Sequence, residues 1–302
     1  MCSSDLEGHL VRRLLEPPRT AFGGAGMLMT GAVLIQCSVV IVKPAMAVTG
    51  AASASGWRFL LGAVVLLALV RPPVRSWTRR QWMGAINLGI ASAVMNQSFY
   101  QAVNRIHLGT AVAIEYMGPF AVAALGKRSW RHAAMVLLAL VGVLLLARPG
   151  GGLNAWGIFF AAGSGVGWAW YAFASHQVGK DAQGFQGLAV SMSIGAVVTL
   201  PMAMSHVSDV ASSGSVFLRL LLVAVMSTVL GFGSEMQALR RLSPVTVSVL
   251  LALDPAVAFL VGLLFLHEGV VLFDILGMIA VVTAGIVVTM DAEKLPPEPL
   301  LG

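Results

Sequence analysis

Charge is what this sequence has least of. Asp, Glu, Lys and Arg together supply 11% of its 302 residues, against roughly 25% in a globular domain. That excludes an ordinary soluble fold and a charge-rich disordered chain. Cysteine is almost as scarce: Cys2 and Cys37 cannot build a disulfide framework, so a stapled secreted miniprotein is excluded. The six histidines are scattered without metal-ligand spacing, and no metal is expected. His267-Glu268 begins a zincin-like pair, but Val271 stands where the second histidine should fall. No Gly-x4-Gly-Lys-Ser/Thr segment and no Gly-x-Ser-x-Gly elbow occur. Nucleotide hydrolysis and serine-hydrolase chemistry therefore lack their parts, and no cofactor is expected. A channel's filter loop or ring of like charges is also missing.

What is present is apolar length. Hydrophobic residues make up 58% of the chain and mean hydropathy is +0.86. Runs able to cross about 30 Å of hydrocarbon lie near 26–46, 52–70, 82–103, 108–125 and 132–147, then 156–175, 186–204, 216–239, 245–266 and 270–290. The predicted fold class is an all-α membrane protein, with ten transmembrane helices in two inverted five-helix repeats. Its parts would be an amino-terminal tail (1–25), a first repeat (26–147), a linker (148–155), a second repeat (156–290) and a carboxy-terminal tail (291–302). The amino-terminal tail holds Asp5, Glu7, Arg12, Arg13, Glu16 and Pro17-Pro18 without a compact apolar core, so a cleaved leader is not expected.

The basic residues orient the spans. One face would carry Arg12, Arg13, Arg19, Arg71, Arg75, Arg79, Arg80, Lys127, Arg128, Arg131, Lys180, Arg240, Arg241 and Lys294. The other would carry Arg105, Arg148 and Arg219. Fourteen against three is the positive-inside pattern, and it puts both termini in the cytoplasm. It also accounts for the net charge of +6 through membrane lipid and topology, with no nucleic acid.

Sliding the chain along itself until Gln101 falls on Gln237 also superposes Ala102, Arg105, Thr110 and Pro119 on Ala238, Arg241, Thr246 and Pro255. Arg105 then falls in an outer loop and Arg241 in an inner one, as halves of five spans require. Inverted repeats of this kind build secondary transporters, with substrate held near the midplane.

Polar residues at depth are the candidate site, because each ionised side chain costs about 2.5–3.5 kcal/mol at a span's centre. Glu115 lies inside the fourth span and Asp254 near the centre of the ninth, the latter without an obvious partner. Arg58 and Glu115 share a depth and could pair. Lys43 lies toward the outer end of the first span, and Glu235 toward the inner end of the eighth. Asn96 and Tyr100 in the third span add hydrogen-bonding groups, and Trp168 and Tyr171 in the sixth could line a pathway. Pro119 and Pro255 follow the two central acids and would open the helical backbone beside them. The Gly163/Gly167 spacing reads as helix packing. Two classes stay open on these residues: a secondary transporter, or an intramembrane enzyme using Glu115 and Asp254 as acid and base.

The chain resembles ten-helix transporters of the drug/metabolite transporter superfamily, built from two EamA-type repeats, over about residues 27–290. It looks most like the bacterial threonine/homoserine exporter branch. The likeness is carried by Lys43, Trp57-Arg58-Phe59-Leu60-Leu61-Gly62, Met95-Asn96 with Phe99-Tyr100, and Leu108-Gly109-Thr110-Ala111-Val112-Ala113-Ile114-Glu115 with Gly118-Pro119. It continues in Trp168 with Tyr171, Ser227-Thr228, Glu235-Met236 with Ala238-Leu239, and Asp254-Pro255-Ala256, where that branch more often has Glu-Pro-Ala. The resemblance implies a multi-pass protein of the bacterial inner membrane that exports small amino acids against protons. Other metabolites or drugs are the alternative cargo within the superfamily.

The charge pattern yields the first prediction. Cysteines placed in the 76–81 and 205–215 loops should label from opposite membrane faces; labelling from one face would overturn the inverted-repeat topology.

Overall fold

The computed structural model describes residues 21–118, 130–146, 154–181, 185–239, 242 and 244–292. The first half contains α1 (Ala21–Thr49), α2 (Ala51–Val70), α3 (Arg79–Val103), α4 (Leu108–Glu115) and α5 (Trp130–Leu146). The second contains α6 (Ala155–Asp181), α7 (Phe185–Met204), α8 (Val207–Ser212) and α9 (Gly214–Val223). It continues through a π-helical segment (Ala224–Gly231) into α10 (Phe232–Leu239), then α11 (Pro244–Leu251), α12 (Asp254–Phe265) and α13 (Leu272–Ala292). No strand occurs among the described residues. Four described helical stretches are long and apolar enough to cross a membrane: Gly23–Thr49, Ala51–Val70, Phe185–Met204 and Gly214–Glu235. Shorter apolar stretches fall in α5, α11–α12 and α13. The chain is an all-α membrane protein.

Local chemistry sets several boundaries. Gly50, at φ +75°, turns the chain from α1 to α2 in one residue, a conformation that favours glycine. Thr78 and Gln81 form a capping box at the start of α3: the Gln81 N–H donates to Thr78 Oγ1 at 3.3 Å, and the Thr78 N–H to Gln81 Oε1 at 2.8 Å.

The repeat is imprinted on the helix ends. α4 and α11 start at Leu108 and Pro244 and stop at Glu115 and Leu251, both pairs in the register that lays Gln101 on Gln237. Both helices stop four residues before a proline of the sequence, the position whose carbonyl a proline ring displaces. Pro119 itself lies outside the described residues. α3 and α10 end in the same register, at Val103 and Leu239.

Packing follows the same symmetry. Counted as spans, the third packs on the sixth and the first on the eighth, while second meets seventh, fourth meets ninth and fifth meets tenth. Exchanging the halves maps this set of neighbours onto itself. α3 and α6, long helices of 25 and 27 residues, run along each other at the seam between the halves. Small residues let the backbones meet there: a Cβ on Gly167 would come within 2.8 Å of the Met95 Cα, and one on Gly89 within 2.6 Å of the Ser191 carbonyl. Gly163 has a looser neighbour, Ser98 at 3.4 Å. Most of the expected tails (1–20 and 293–302), most of the 148–155 linker, and the basic residues Arg12, Arg13, Arg19, Lys127, Arg128, Arg148, Arg240, Arg241 and Lys294 lie outside the described residues.

Crowding at this seam is testable by substitution. Gly89→Ala should lower stability in detergent by about 1–3 kcal/mol through overpacking. Gly26→Ala, with nothing within 4 Å of the added carbon, should be neutral or stabilising. Thermal unfolding of the two variants side by side measures the difference.

Candidate functional site

Between the halves lies a cavity of about 60 Å3. Gln36 and Val39 of α1, Arg58 of α2, Asn96 and Tyr100 of α3, and Trp168 of α6 form much of its wall. Glu115 at the end of α4, Tyr116 just beyond it, Phe232 and Glu235 of α10, and Asp254 at the start of α12 also line it, with Ser38 of α1. Seven residues singled out from sequence are therefore brought together: Arg58, Asn96, Tyr100, Glu115, Trp168, Glu235 and Asp254. Tyr171 stands outside the lining, its ring stacked on Phe232 at 6.3 Å. Lys43 is also elsewhere, in an ion pair with Glu268 at 3.4 Å.

Arg58 is 3% exposed and is held from several elements. Its Nη2 donates to Asn96 Oδ1, and its Nη1 to Ser227 Oγ at 3.3 Å. The Asn96 amide is fixed in turn by donation from Nδ2 to the Ser92 carbonyl at 2.9 Å. The rings of Phe59, Tyr100 and Phe232 stand 5.5, 5.5 and 5.8 Å from the guanidinium carbon, within reach of cation–π attraction. Ser227 belongs to the π-helical segment, whose wider turn is a feature often found at functional positions. The Arg58 Nε and the Tyr100 hydroxyl have no hydrogen-bond partner among the described residues.

The acids are placed differently from one another. Glu115 is hydrogen-bonded to Ser164, whose hydroxyl also lies 3.0 Å from the Met95 carbonyl. One hydroxyl proton cannot serve both acceptors. A protonated Glu115 can donate to Ser164 and leave its proton for Met95, whereas an ionised one draws that proton to itself. Asp254 is not partnerless, which corrects the expectation from sequence. Its Oδ2 accepts from Gln36 Nε2 at 2.8 Å and from the Tyr116 hydroxyl at 3.0 Å. Asp254 Oδ1 and Gln36 Oε1 have no partner among the described residues. Pro255 follows Asp254 directly, and the carboxylate sits in the first turn of α12, where helical N–H groups favour an anion. Arg58 and Glu115 line one cavity, yet the hydrogen bonds described tie each to a different partner.

Sequence reasoning passed over Gln36, Tyr116 and Ser164, and named Ser227 only among the residues that carry the family resemblance. Gln36 had a usable signal, a long polar side chain inside the first apolar run. Tyr116 adjoins Glu115, but its bond to Asp254 crosses 138 positions. Ser164 read only as a small residue, and nothing in the sequence pointed Ser227 at Arg58.

Residues 155–290 match the EamA-like transporter family. The "Threonine/homoserine exporter RhtA" of Salmonella typhimurium (strain LT2) is 30% identical over 265 residues, covering 87% of this chain and 90% of that protein. Its namesake in Escherichia coli (strain K12) is 28% identical over 271 residues, covering 89% and 92%. The "Uncharacterized inner membrane transporter YicL" of Salmonella typhimurium (strain LT2) is 22% identical, covering 68% of this chain and 72% of its own. One solved crystal structure superposes with a TM-score of 0.59 at 19% identity, over 89% of this chain and 98% of the other, a likeness of fold alone.

The Arg58 cradle gives a stability prediction. Asn96→Ala removes the acceptor of a buried guanidinium donor and should cost about 1–3 kcal/mol. Asn96→Asp keeps the acceptor and should cost less. Thermal unfolding in detergent ranks the two, and equal loss would show that the bond to Arg58 contributes nothing.

Proposed function

The chain belongs to the EamA-like transporter family, and we propose that it exports small zwitterionic amino acids of the threonine/homoserine kind across a bacterial inner membrane in exchange for protons. The observation that carries this reading is the charge content of the cavity, one guanidinium with the three carboxyls of Glu115, Glu235 and Asp254. A zwitterion needs donors for its carboxylate and an anion for its ammonium. The open Arg58 Nε and Tyr100 hydroxyl suit the first, and the open Asp254 Oδ1 and Gln36 Oε1 suit the second. Trp168, whose ring is tilted against that of Tyr116 at 4.5 Å between centroids, gives the side chain of the cargo a flat apolar wall. The exporters named above carry the same cargo in their names, and membership of a transporter family sets aside an enzyme's acid–base role for Glu115 and Asp254.

Fully ionised, the four groups leave two negative charges unmatched in an interior that solvates charge poorly. Protons and the cargo's ammonium are the cations that restore balance. An acid holding a proton cannot also hold the ammonium, and that competition is sufficient for antiport. Protonation from the outer side releases cargo, and inward loss of the proton restores the anion. Asp254 is the first choice of carrier because one of its oxygens is already held while the other is open. Glu115, whose bond to Ser164 can reverse direction, is the second, and Glu235 the third. Rocking of one half on the other would expose the cavity to each face in turn, with both termini on the cytoplasmic side.

Inside-out vesicles that are acidic inside should accumulate labelled threonine or homoserine when they carry this protein. Asp254→Asn should cut gradient-driven uptake at least tenfold while sparing cargo exchange. Unchanged gradient-driven uptake in that variant removes Asp254 from the mechanism, and movement of some other metabolite with no amino-acid uptake overturns the cargo.

A further inference from the structure

Lys43 and the His267-Glu268 pair stand out in the sequence but not in the cavity, and the fold brings them to each other. Lys43 Nζ of α1 lies 3.4 Å from Glu268 Oε1, in the connection between α12 and α13. Both Glu268 oxygens also accept from the N–H of Leu108, at 3.0 Å each. Leu108 is the first residue of α4, and the preceding His107 offers no side-chain cap. A carboxylate at that point meets unpaired N–H groups and the positive end of the helix dipole. Glu268 is bound to α12 as well: its own N–H donates to the Gly262 carbonyl at 3.1 Å. Its carboxylate also leaves no room for a Cβ on Gly262. The approach is made through His267 at φ +52°, a left-handed conformation costing a non-glycine residue about 1–2 kcal/mol. The contacts of Glu268 are what offset it.

Each helix that Glu268 touches carries a wall of the cavity at another level. Gln36, Val39 and Lys43 recur at helical spacing on one face of α1, so Lys43 lies one turn beyond the cavity. Leu108 is at the opposite end of α4 from Glu115, and Gly262 is about two turns along α12 from Asp254. By the bias of basic residues, this end of the bundle faces away from the cytoplasm.

We infer that Glu268 is the outer latch of the pathway, a positioning residue that ties α1 and α4 of the first half to α12 of the second and closes the cavity toward the outer face. The inference rests on the transport reading above. Opening to that face separates α4 from α12, so the Glu268 carboxylate must leave Leu108 and Lys43. The pair is built for release: the two side chains are 32% and 11% exposed, so water can reach both charges as they part, and neither is stranded in a dry interior.

The test is sidedness of access to the cavity. In a background without Cys2 and Cys37, Ser38→Cys supplies a reporter on the cavity wall. A membrane-impermeant maleimide is applied to right-side-out and inside-out vesicles. Glu268→Gln and Lys43→Met should each raise the ratio of outer-face to inner-face labelling at least threefold, and Lys43→Arg should return it toward the parent value. An unchanged ratio, or equal gains from both faces with no recovery in Lys43→Arg, overturns the latch. Lys43→Met leaves the Leu108 cap in place and carries the test if Glu268→Gln does not reach the membrane. Labelling requires no cargo, so the outcome stands apart from the choice of cargo.

Discussion

Arg58 is 3% exposed in a chain built to sit in lipid, and a guanidinium there must find its donors' partners and its countercharge within the protein. Much of the central structure is arranged around that demand. α3 supplies Asn96 and the Tyr100 ring, the π-helical segment supplies Ser227, and α10 supplies Phe232. These contacts draw α2, α3 and the eighth span to one point at the interface of the halves. The three carboxyls gathered at the same cavity then outnumber the cation, and the imbalance gives the site its chemistry. A single cation with a single acid would be a static structural pair.

The duplicated architecture makes such a site possible and also makes it asymmetric. Proline-set breaks end α4 and α11 at corresponding positions, so each half brings irregular backbone to the bundle's interior, where it is tolerated next to a cavity. The halves use their breaks differently. The first places an acid, Glu115, on the last turn of its helix, and the second places Asp254 on the first turn of the next. The π-helical segment has no counterpart in α3, which is α-helical from Arg79 to Val103. A near-symmetric bundle therefore encloses a cavity whose two sides differ in charge placement.

Much of this was legible in the sequence, since membrane depth makes polar residues expensive and so informative. The apolar runs located the helices, the register laying Gln101 on Gln237 matched the ends of α3, α4, α10 and α11, and seven of nine candidate residues share one cavity. What stayed hidden depends on which spans touch. Asp254 looked partnerless because Gln36 lies 218 positions away and Tyr116 lies 138 positions away. Lys43 was grouped with the cavity residues because nothing in the sequence ties it to Glu268, which sits in a connection 225 positions on. Ser164 is small enough to pass as a packing residue, and nothing in composition marks Ala224–Gly231, which holds Ser227, as a π-helix.

The central claim is that cargo ammonium and protons compete for the same buried carboxyls. Calorimetric titration of the purified protein with threonine, in buffers of different ionisation enthalpy, counts the protons exchanged on binding. The account predicts binding heat that varies with the buffer and corresponds to net proton release. Binding heat that is the same in every buffer would mean that no proton leaves when cargo arrives, and would contradict it.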